Sequence, residues 1–209
     1  MYLLHNQSKL DVTKLISPLP PPALKLPTAN LLFFDGGSRG NPGPGASGSV
    51  IIRLGDNPTL VWVASMAYGR TTTNDNLAEY QGLCHGLSAA GRHKWFPIEV
   101  VGDSMLIIRQ MQLRRRHKAH LLAPLYEKAR SIADTLRVSG WHHHYRSRDK
   151  MADKAANQAM DTGTSHQVDG VAGRPELVEL IEWLANDVSH WLYSRVQPTG
   201  NRTTRNPVR

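Results

Sequence analysis

The chain shows strand-like spacing of apolar residues first and helical spacing afterwards. From residue 30 onward, short runs rich in aliphatic and β-branched residues alternate with Gly, Pro, Asn and Asp, which predicts strands separated by turns. The predicted strands are Leu31–Phe34, Ser49–Leu54 and Leu60–Met66. Apolar residues then recur every three or four positions from Asn76 to Ala90, which predicts a helix. Cys84 lies on the apolar face of this helix, where we expect it to be buried.

Strands and helices alternate in the next part of the chain. The predicted elements are a strand at Pro97–Val101, helices at Met105–Met111 and Ala119–Leu136, a strand at Val138–Tyr145 and a helix at Asp149–Met160. Ser104 precedes the first of these helices, in a position typical of an N-cap. Consecutive strands followed by alternating strands and helices indicate an α/β fold, in which helices pack on a mixed sheet.

Segments of different character flank this central domain. Residues 1–29 are predicted to be a proline-rich N-terminal tail, 30–161 the domain itself, 162–174 a linker, 175–196 an amphipathic C-terminal helix and 197–209 a basic tail. The amphipathic helix carries an apolar stripe that includes Trp191, and this stripe has to be buried. Docking onto the domain itself and docking onto a protein partner both stay open.

Composition indicates a folded protein, and its net charge indicates a polyanionic partner. Of its 209 residues, 40% are hydrophobic and 20% are charged, which is enough apolar material for a core. The net charge of +8 favours nucleic acid as the partner. A single cysteine excludes an intrachain disulfide and a Cys-based zinc site.

The sequence also bears on localisation. No run approaches the roughly 18 apolar residues of a membrane span, and the first residues lack the apolar region of a secretory signal. We therefore expect no membrane partner and an intracellular location, in the cytoplasm or nucleus. An organelle-targeting role of the N-terminal tail is the weaker alternative.

Four acidic residues lie at positions where α/β sheets place their ligands. Asp35 and Asp103 each close a predicted apolar strand, at the sheet edge where ligands bind. Glu79 and Asp153 lie in predicted helices, and they approach the same edge if the two strands are neighbours. Carboxylates that gather without a basic partner repel one another unless a divalent cation neutralises them. All-oxygen ligands favour a hard ion such as Mg²⁺ or Mn²⁺.

The acids belong to four sequence blocks that together resemble a known family. The blocks are D-G-G-S-R-G-N-P-G-P-G at 35–45, N-D-N-L-A-E-Y at 74–80, G-D-S at 102–104 and A-D-K-A-A-N at 152–157. In order, spacing and flanking strand pattern, they resemble type 1 ribonuclease H over about residues 30–161. The resemblance implies a ribonuclease H-like five-stranded mixed sheet of order 3-2-1-4-5 flanked by helices, to which this chain adds a C-terminal helix.

The resemblance also implies an activity. A type 1 ribonuclease H is a hydrolase that cuts the RNA strand of an RNA–DNA hybrid internally and leaves 5′-phosphate and 3′-hydroxyl ends. By this resemblance, the catalytic and metal-binding carboxylates are Asp35, Glu79, Asp103 and Asp153. They would hold two Mg²⁺ ions, for which Mn²⁺ can substitute. Such a pair activates a water on one side of the phosphate and stabilises the leaving oxygen on the other.

Residues near these blocks are predicted to bind the hybrid. The predicted contacts are Gly36, Gly37, Ser38, Asn41, Asn76, Ser104, Arg114, Arg115, Arg116 and Arg146. The glycines let backbone amides approach a phosphate or sugar, and the asparagines suit minor-groove edges and 2′-hydroxyls. For the two serines, roles in a turn and in a helix cap are equally open. The arginine run, together with Lys118, is either a grip for the phosphates of the other strand or a solvated face.

Two departures from the family pattern affect the predicted site. Asp75 stands where many relatives have asparagine, so one groove contact is altered. Many relatives also carry a mobile histidine in a loop before the last aspartate, whereas the three histidines at 142–144 lie on a predicted strand. We interpret the histidine function as absent and expect Arg146 or Lys150 to supply the nearby positive charge. Consecutive strand residues point in alternate directions, which disfavours a zinc site built from the three histidines.

Three interpretations of the function stay open at this point. The chain is an active ribonuclease H of cellular origin or a nuclease domain derived from a retroelement. It is otherwise a catalytically silent nucleic-acid-binding module of the same fold, or a nuclease or integrase of the same superfamily that acts on DNA. The complete carboxylate set favours an active enzyme, because a binding module has no use for mutually repelling acids beside its polyanion.

Overall fold

The computed structural model of the chain describes residues 29–116, 119–170 and 177–196. The strands are β1 (Asn30–Ser38), β2 (Gly43–Arg53), β3 (Thr59–Thr73), β4 (Ile98–Gly102), β5 (Gly140–His143) and β6 (His166–Asp169). The helices are α1 (Asp75–His93), α2 (Met105–Leu113), α3 (Ala123–Leu136), α4 (Lys150–Thr162) and α5 (Val178–Val196), and a 3₁₀ turn at Arg146–Arg148 precedes α4. Apart from Ala29, the predicted tails at 1–29 and 197–209 lie outside the described residues, as does Lys118.

The strands form one mixed sheet whose order is β5-β4-β1-β2-β3-β6. Strands β1, β2 and β3 make an antiparallel meander, while β4 runs parallel to β1, and β5 parallel to β4. The α/β fold is confirmed, and strands β1 to β5 have the predicted order 3-2-1-4-5. A sixth strand, β6, pairs antiparallel with β3 and lies in the segment 162–174, where we predicted only a linker.

Alternation along β1 divides the core between the two faces of the sheet. Leu32 and Phe34 belong to the apolar cluster that α1, α2 and α3 cover. Leu31 and Phe33 point to the opposite face and belong to the cluster that α4 and α5 cover. Cys84 is buried in the first cluster, as predicted. The result is a sheet between two helical layers.

Two glycines bring the helices close to the strands. A Cβ atom at Gly36 would lie 2.4 Å from the backbone carbon of Ala78 in α1. A Cβ atom at Gly48 would lie 2.0 Å from the carbonyl oxygen of Ala152 in α4. Because any side chain at either position would push its helix away, these contacts fix the distances of α1 and α4 from the sheet.

Two element boundaries differ from the predicted ones. Helix α3 begins at Ala123 and not at Ala119, because Pro124 lies in its first turn, where its missing N–H costs no helical hydrogen bond. Strand β5 covers only Gly140–His143 of the predicted Val138–Tyr145, because only these residues pair with β4.

The C-terminal helix α5 docks on the domain itself. Leu180, Val188 and Trp191 are buried in the apolar cluster that also contains Met151 and Ala155 of α4. Of the two alternatives for this helix, docking within the chain is the one that the structure shows. None of the helices in the described part of the chain combines the length and the apolar character that crossing a membrane requires.

Candidate active site

The ends of two neighbouring parallel strands bring Asp35 and Asp103 together. Strands β1 and β4 pair in a register that sets Phe34 opposite Gly102. Asp35 is the next residue of β1 and Asp103 is the first residue after β4, so the two come side by side where β4 ends. This is the arrangement that the sequence predicts from the strand-closing acids.

Helix α1 adds Glu79 to this pair. Each of the three side chains offers a carboxylate oxygen, and the oxygens of Asp35, Glu79 and Asp103 all lie within 4.8 Å of one another. Glu79 reaches the site because α1 packs directly on β1 at Gly36. Three acids at this spacing form a ligand set for a hard divalent cation.

Burial and mutual repulsion raise the pKa values of two of these carboxyl groups. Burial, with the neighbouring Asp103 adding to it, raises the pKa of Asp35 to about 7, although the Gly36 N–H donates to Asp35 Oδ1 over 2.7 Å. Burial likewise raises the pKa of Glu79 to about 8 against the opposing effect of a hydrogen bond from the Ser104 hydroxyl. Glu79 Oε2 is buried and accepts no hydrogen bond from any residue that the structure describes. A cation bound between these carboxylates would offset both their burial and their mutual repulsion.

Asp153 lies on the first turn of α4, across the same opening. It lines, with Asp35 and Glu79, a cavity of about 350 Å³. Its carboxylate contacts Lys150 Nζ over 3.3 Å and Asn157 Nδ2 over 3.2 Å. The structure thus gathers three of the four predicted carboxylates into one group and places the fourth on the wall of a cavity that Asp35 and Glu79 also line.

Arg146 supplies positive charge at this site. Its Nε donates to Asp103 Oδ2 over 3.2 Å, and its side chain also lines the cavity. The negative charge of Asp35, followed by that of Asp103, raises the pKa of the guanidinium. Arg146 and Lys150 therefore each contact one of the predicted carboxylates, as expected from the sequence.

The three consecutive histidines face three different surroundings. His142 pairs with Glu99 over 2.6 Å, and His143 Nε2 lies 3.0 Å from the backbone oxygen of Asp103. His144 is buried, with Nδ1 3.2 Å from the backbone oxygen of Arg148, and burial lowers its pKa to about 4. His142 and His144 both lie against rings of α5, and His143 points the other way, as alternation along a strand requires.

The glycine-rich turn contacts the start of α1 through Asp75. Asp75 Oδ1 accepts hydrogen bonds from the backbone N–H and the hydroxyl of Ser38, over 2.8 and 2.9 Å. Asn41 Oδ1 in turn accepts from the Asp75 N–H over 3.2 Å. Gly36, Gly37 and Ser38 line the cavity together with Asp75. The residue that departs from the family pattern thus ties the turn to the helix that carries Glu79.

Two further predicted substrate contacts, Asn76 and Ser104, lie at the starts of α1 and α2. Asn76 is half-buried in the first turn of α1. Ser104 is the N-cap of α2 by position, but its hydroxyl forms no capping bond within the described structure and interacts with Glu79 instead.

The arginine run lies on an exposed surface at the end of α2. Arg114 pairs with Asp134 of α3 over 2.6 Å, and Arg116 pairs with Glu127 over 3.1 Å. Arg115 is exposed between them. Two of the three predicted phosphate contacts are therefore already paired with acids of α3.

Two buried acids near the site were missed from the sequence. Asp149, just before α4, is 1% exposed, and burial together with the charge of Asp35 raises its pKa well above the ordinary value. Asp187 of α5 is fully buried and accepts a hydrogen bond from the Met151 N–H over 2.9 Å. A signal for Asp187 exists, because it lies on the apolar stripe of α5 beside Val188. Asp149 offers no such signal, since an acid before a helix is typical of an N-cap.

Comparison with known proteins agrees with this architecture. A family model described as reverse transcriptase-like matches residues 33–159. A bifunctional protein of Mycobacterium tuberculosis is 39% identical over 127 residues, which are 61% of this chain and 34% of that protein. The chain therefore spans about a third of the length of that relative.

Solved structures extend the likeness to three dimensions. The N-terminal RNase H domain of the Mycobacterium tuberculosis protein is 36% identical with a TM-score of 0.59, and the match covers 64% of this chain and 99% of that one. RNase H1 of the archaeon Halobacterium salinarum is 31% identical with a TM-score of 0.56, covering 64% and 98%. A compost-derived RNase H1 in complex with an RNA/DNA hybrid is 29% identical with a TM-score of 0.53, covering 64% and 98%. By this family match and these relatives, the chain belongs to the reverse transcriptase-like, ribonuclease H-like family, as its four sequence blocks predicted.

Proposed function

We propose that this chain is a Mg²⁺-dependent endonuclease that hydrolyses the RNA strand of RNA–DNA hybrids and leaves 5′-phosphate and 3′-hydroxyl ends. The observation that carries the proposal is the group formed by Asp35, Glu79 and Asp103, whose oxygens lie within 4.8 Å of one another. Holding such a group beside a polyanion is unfavourable without a cation, so the group suits metal-assisted hydrolysis better than simple binding. A related RNase H1 with an RNA/DNA hybrid bound supports the substrate.

The residues present fit two divalent cations. Glu79 Oε2, buried without a partner in the described part of the chain, is an oxygen that a cation would satisfy. Asp35 would be shared by both ions, Glu79 and Asp103 would complete the ligands of the first, and Asp153 would serve the second. When bound, two Mg²⁺ ions supply the positive charge that activates a water and stabilises the leaving 3′ oxygen. Mn²⁺, which accepts the same oxygen ligands, would substitute.

The chain itself contributes orientation and charge around that centre. Arg146 contacts Asp103 and lines the cavity, so it lies where a scissile phosphate would need a cationic neighbour. Gly36 and Gly37 line the same cavity, where the lack of a side chain would let a sugar or phosphate approach closely. Asn41 and Asn76 lie at the adjacent start of α1, where they would face 2′-hydroxyls and base edges of the minor groove.

Cleavage of a strand-labelled hybrid tests the proposal. The wild-type chain is incubated with a hybrid labelled on either strand, and with a DNA duplex of the same sequence, in Mg²⁺ or in EDTA. We expect cuts in the RNA strand only, in Mg²⁺ only. Asp103→Asn should abolish cutting and leave hybrid binding largely intact, since only a metal ligand is changed. Equal cutting of the hybrid and the DNA duplex, or full activity of Asp103→Asn, contradicts the proposal.

A further inference from the structure

The N-terminus of α4 is capped by a residue from another helix. The first backbone N–H groups of a helix need acceptors from outside its own hydrogen-bonding pattern. Asp149 occupies the N-cap position of α4, but its side chain makes no capping bond to any described residue. Asp187 of α5 takes this role instead, because it accepts from the backbone N–H groups of Met151, over 2.9 Å, and of Lys150.

Neighbouring residues extend this connection to the turn before α4. Asn186 donates to Asp187 Oδ1 over 2.8 Å and to the backbone oxygen of Ser147 over 3.3 Å. Its Oδ1 accepts from Arg148 Nη1 over 2.7 Å. One short stretch of α5 therefore holds both the 3₁₀ turn at Arg146–Arg148 and the start of α4.

The held segment carries the residues on one wall of the candidate active site. Arg146 begins the 3₁₀ turn and contacts Asp103. Lys150 and Asp153 lie on the first turn of α4 and contact each other. A shift of this segment would move Arg146 and Asp153 together, relative to the carboxylates on β1 and β4.

Helix α5 is itself fixed on both sides of Asp187. Leu180 and Val188 are buried against the domain, and Arg195 Nη1 pairs with Glu99 of β4 over 2.5 Å. Asp187 is fully buried between these anchors, so its carboxylate is held in one place.

We infer that Asp187 is a positioning residue of the cation site: by capping α4 from α5, it sets where Asp153 and Arg146 stand relative to Asp35 and Asp103. This inference rests on the proposed function. It gives α5 a role in the active site that goes beyond covering apolar surface.

Matched substitutions on α5 separate positioning from simple stabilisation. Asp187→Ala removes the acceptor for two helix N–H groups, whereas Asp187→Asn keeps a capping oxygen. Val188→Ala removes buried apolar volume from the adjacent position but leaves the Asp187 carboxylate and its hydrogen bond to α4 in place. Each full-length variant is assayed for the Mg²⁺ concentration at half-maximal hybrid cleavage, and for the rise in Tm that Mn²⁺ produces.

We expect Asp187→Ala to raise the half-maximal Mg²⁺ concentration about 10-fold and to reduce the Mn²⁺-induced rise in Tm. Asp187→Asn should restore most of both, and Val188→Ala should change neither even though it lowers Tm. Equal Mg²⁺ requirements in Asp187→Ala and Val188→Ala overturn the inference while leaving the proposed function intact. If the wild-type chain cleaves no hybrid, the proposed function fails, and the Mn²⁺-induced rise in Tm alone decides whether Asp187 positions a cation site.

Discussion

Two buried carboxylates on neighbouring strands of the sheet have opposite electrostatic surroundings. Glu99 on β4 is 7% exposed and Asp35 on β1 is 3% exposed. Burial acts to raise the pKa of Glu99, but hydrogen bonds from His142 and Arg195 outweigh it and leave that pKa below its usual value. For Asp35, burial and the neighbouring charge of Asp103 act in the same direction, and its pKa rises to about 7.

The difference separates a structural acid from a candidate metal ligand. Glu99 links β4 to β5 and α5, and its hydrogen bonds with His142 and Arg195 offset the cost of its burial. Asp35 is similarly buried, yet its burial and the charges of Asp103 and Asp153 outweigh the opposing charge of Arg146, so its pKa stays raised. A fold keeps such a group only where a ligand restores the balance, so the unfavourable site is the candidate for chemistry.

The largest expected effect is on cleavage by Asp35→Asn. The amide keeps the shape of the side chain but removes the charge that both proposed cations share. We expect hybrid cleavage in Mg²⁺ to fall at least about 10³-fold. Asp56→Asn, an exposed acid in the β2–β3 turn, is the matched control and should keep full activity. Cleavage by Asp35→Asn at the wild-type rate would contradict a role for Asp35 in the proposed chemistry.

The second largest expected effect is a loss of folding stability on substitution of Glu99, the acid with hydrogen-bonding partners. Glu99→Gln leaves His142 and Arg195 without their carboxylate, in a region where both are only partly solvated. We expect the free energy of unfolding to fall by about 1–2 kcal/mol, less than for a fully buried pair because Arg195 reaches solvent. Urea unfolding measures this change. An unaltered midpoint would mean that Glu99 is not a structural anchor.

The two acids should also give stability opposite dependences on pH. The pKa of Asp35 is raised to about 7 from 3.8, so the folded metal-free protein binds a proton that the unfolded chain releases. Its contribution to stability is therefore fully present below pH 3.8 and is lost as pH rises through about 7. The pKa of Glu99 is lowered, so its contribution is present above pH 4.5 and is lost as pH falls below that value.

Melting of the metal-free protein in EDTA tests this pH dependence. Asp35→Asn should raise Tm at pH 8, by about 2–4 °C for each kcal/mol of relieved repulsion, and should have little effect at pH 4. Glu99→Gln should lower Tm most at pH 8. Parallel Tm curves for the wild type and Asp35→Asn would show that Asp35 carries no penalty when it ionises.

The smallest effect extends the same contrast to the surface. Arg114 already pairs with Asp134, whereas Arg115 forms no ion pair with any described residue. If Arg115 binds a phosphate, Arg115→Ala should reduce the slope of log affinity for a hybrid against log salt by about 1. Arg114→Ala should reduce it less. An unchanged slope in both variants would identify the arginine run as a solvated face.

The carboxylates could be predicted from the sequence because strand ends are local features. Asp35 and Asp103 each close an apolar run, and parallel neighbours bring such ends together. The strand β6 was missed because Val168 is its only apolar residue, so the segment shows no alternation.

Pairings across long stretches of sequence could not be predicted. Glu99 and Arg195 are 96 positions apart, and the sequence around either residue does not indicate that the other is its partner. The same is true of Asp187, since its partner N–H groups belong to the backbone of α4 and leave no trace in residue type. The sequence therefore indicated the four carboxylates of the candidate site but not the buried acids Glu99, Asp149 and Asp187.

Mn²⁺ binding tests most directly whether Asp35, Glu79 and Asp103 form one cation site. Free Mn²⁺ gives an electron paramagnetic resonance signal that weakens when the ion binds protein, so the signal can be followed as Mn²⁺ is titrated into the chain at pH 8. We predict that the wild-type chain depletes the free signal and that Asp35→Asn, folded to the same extent, does not. Equal depletion by the two proteins would contradict the account.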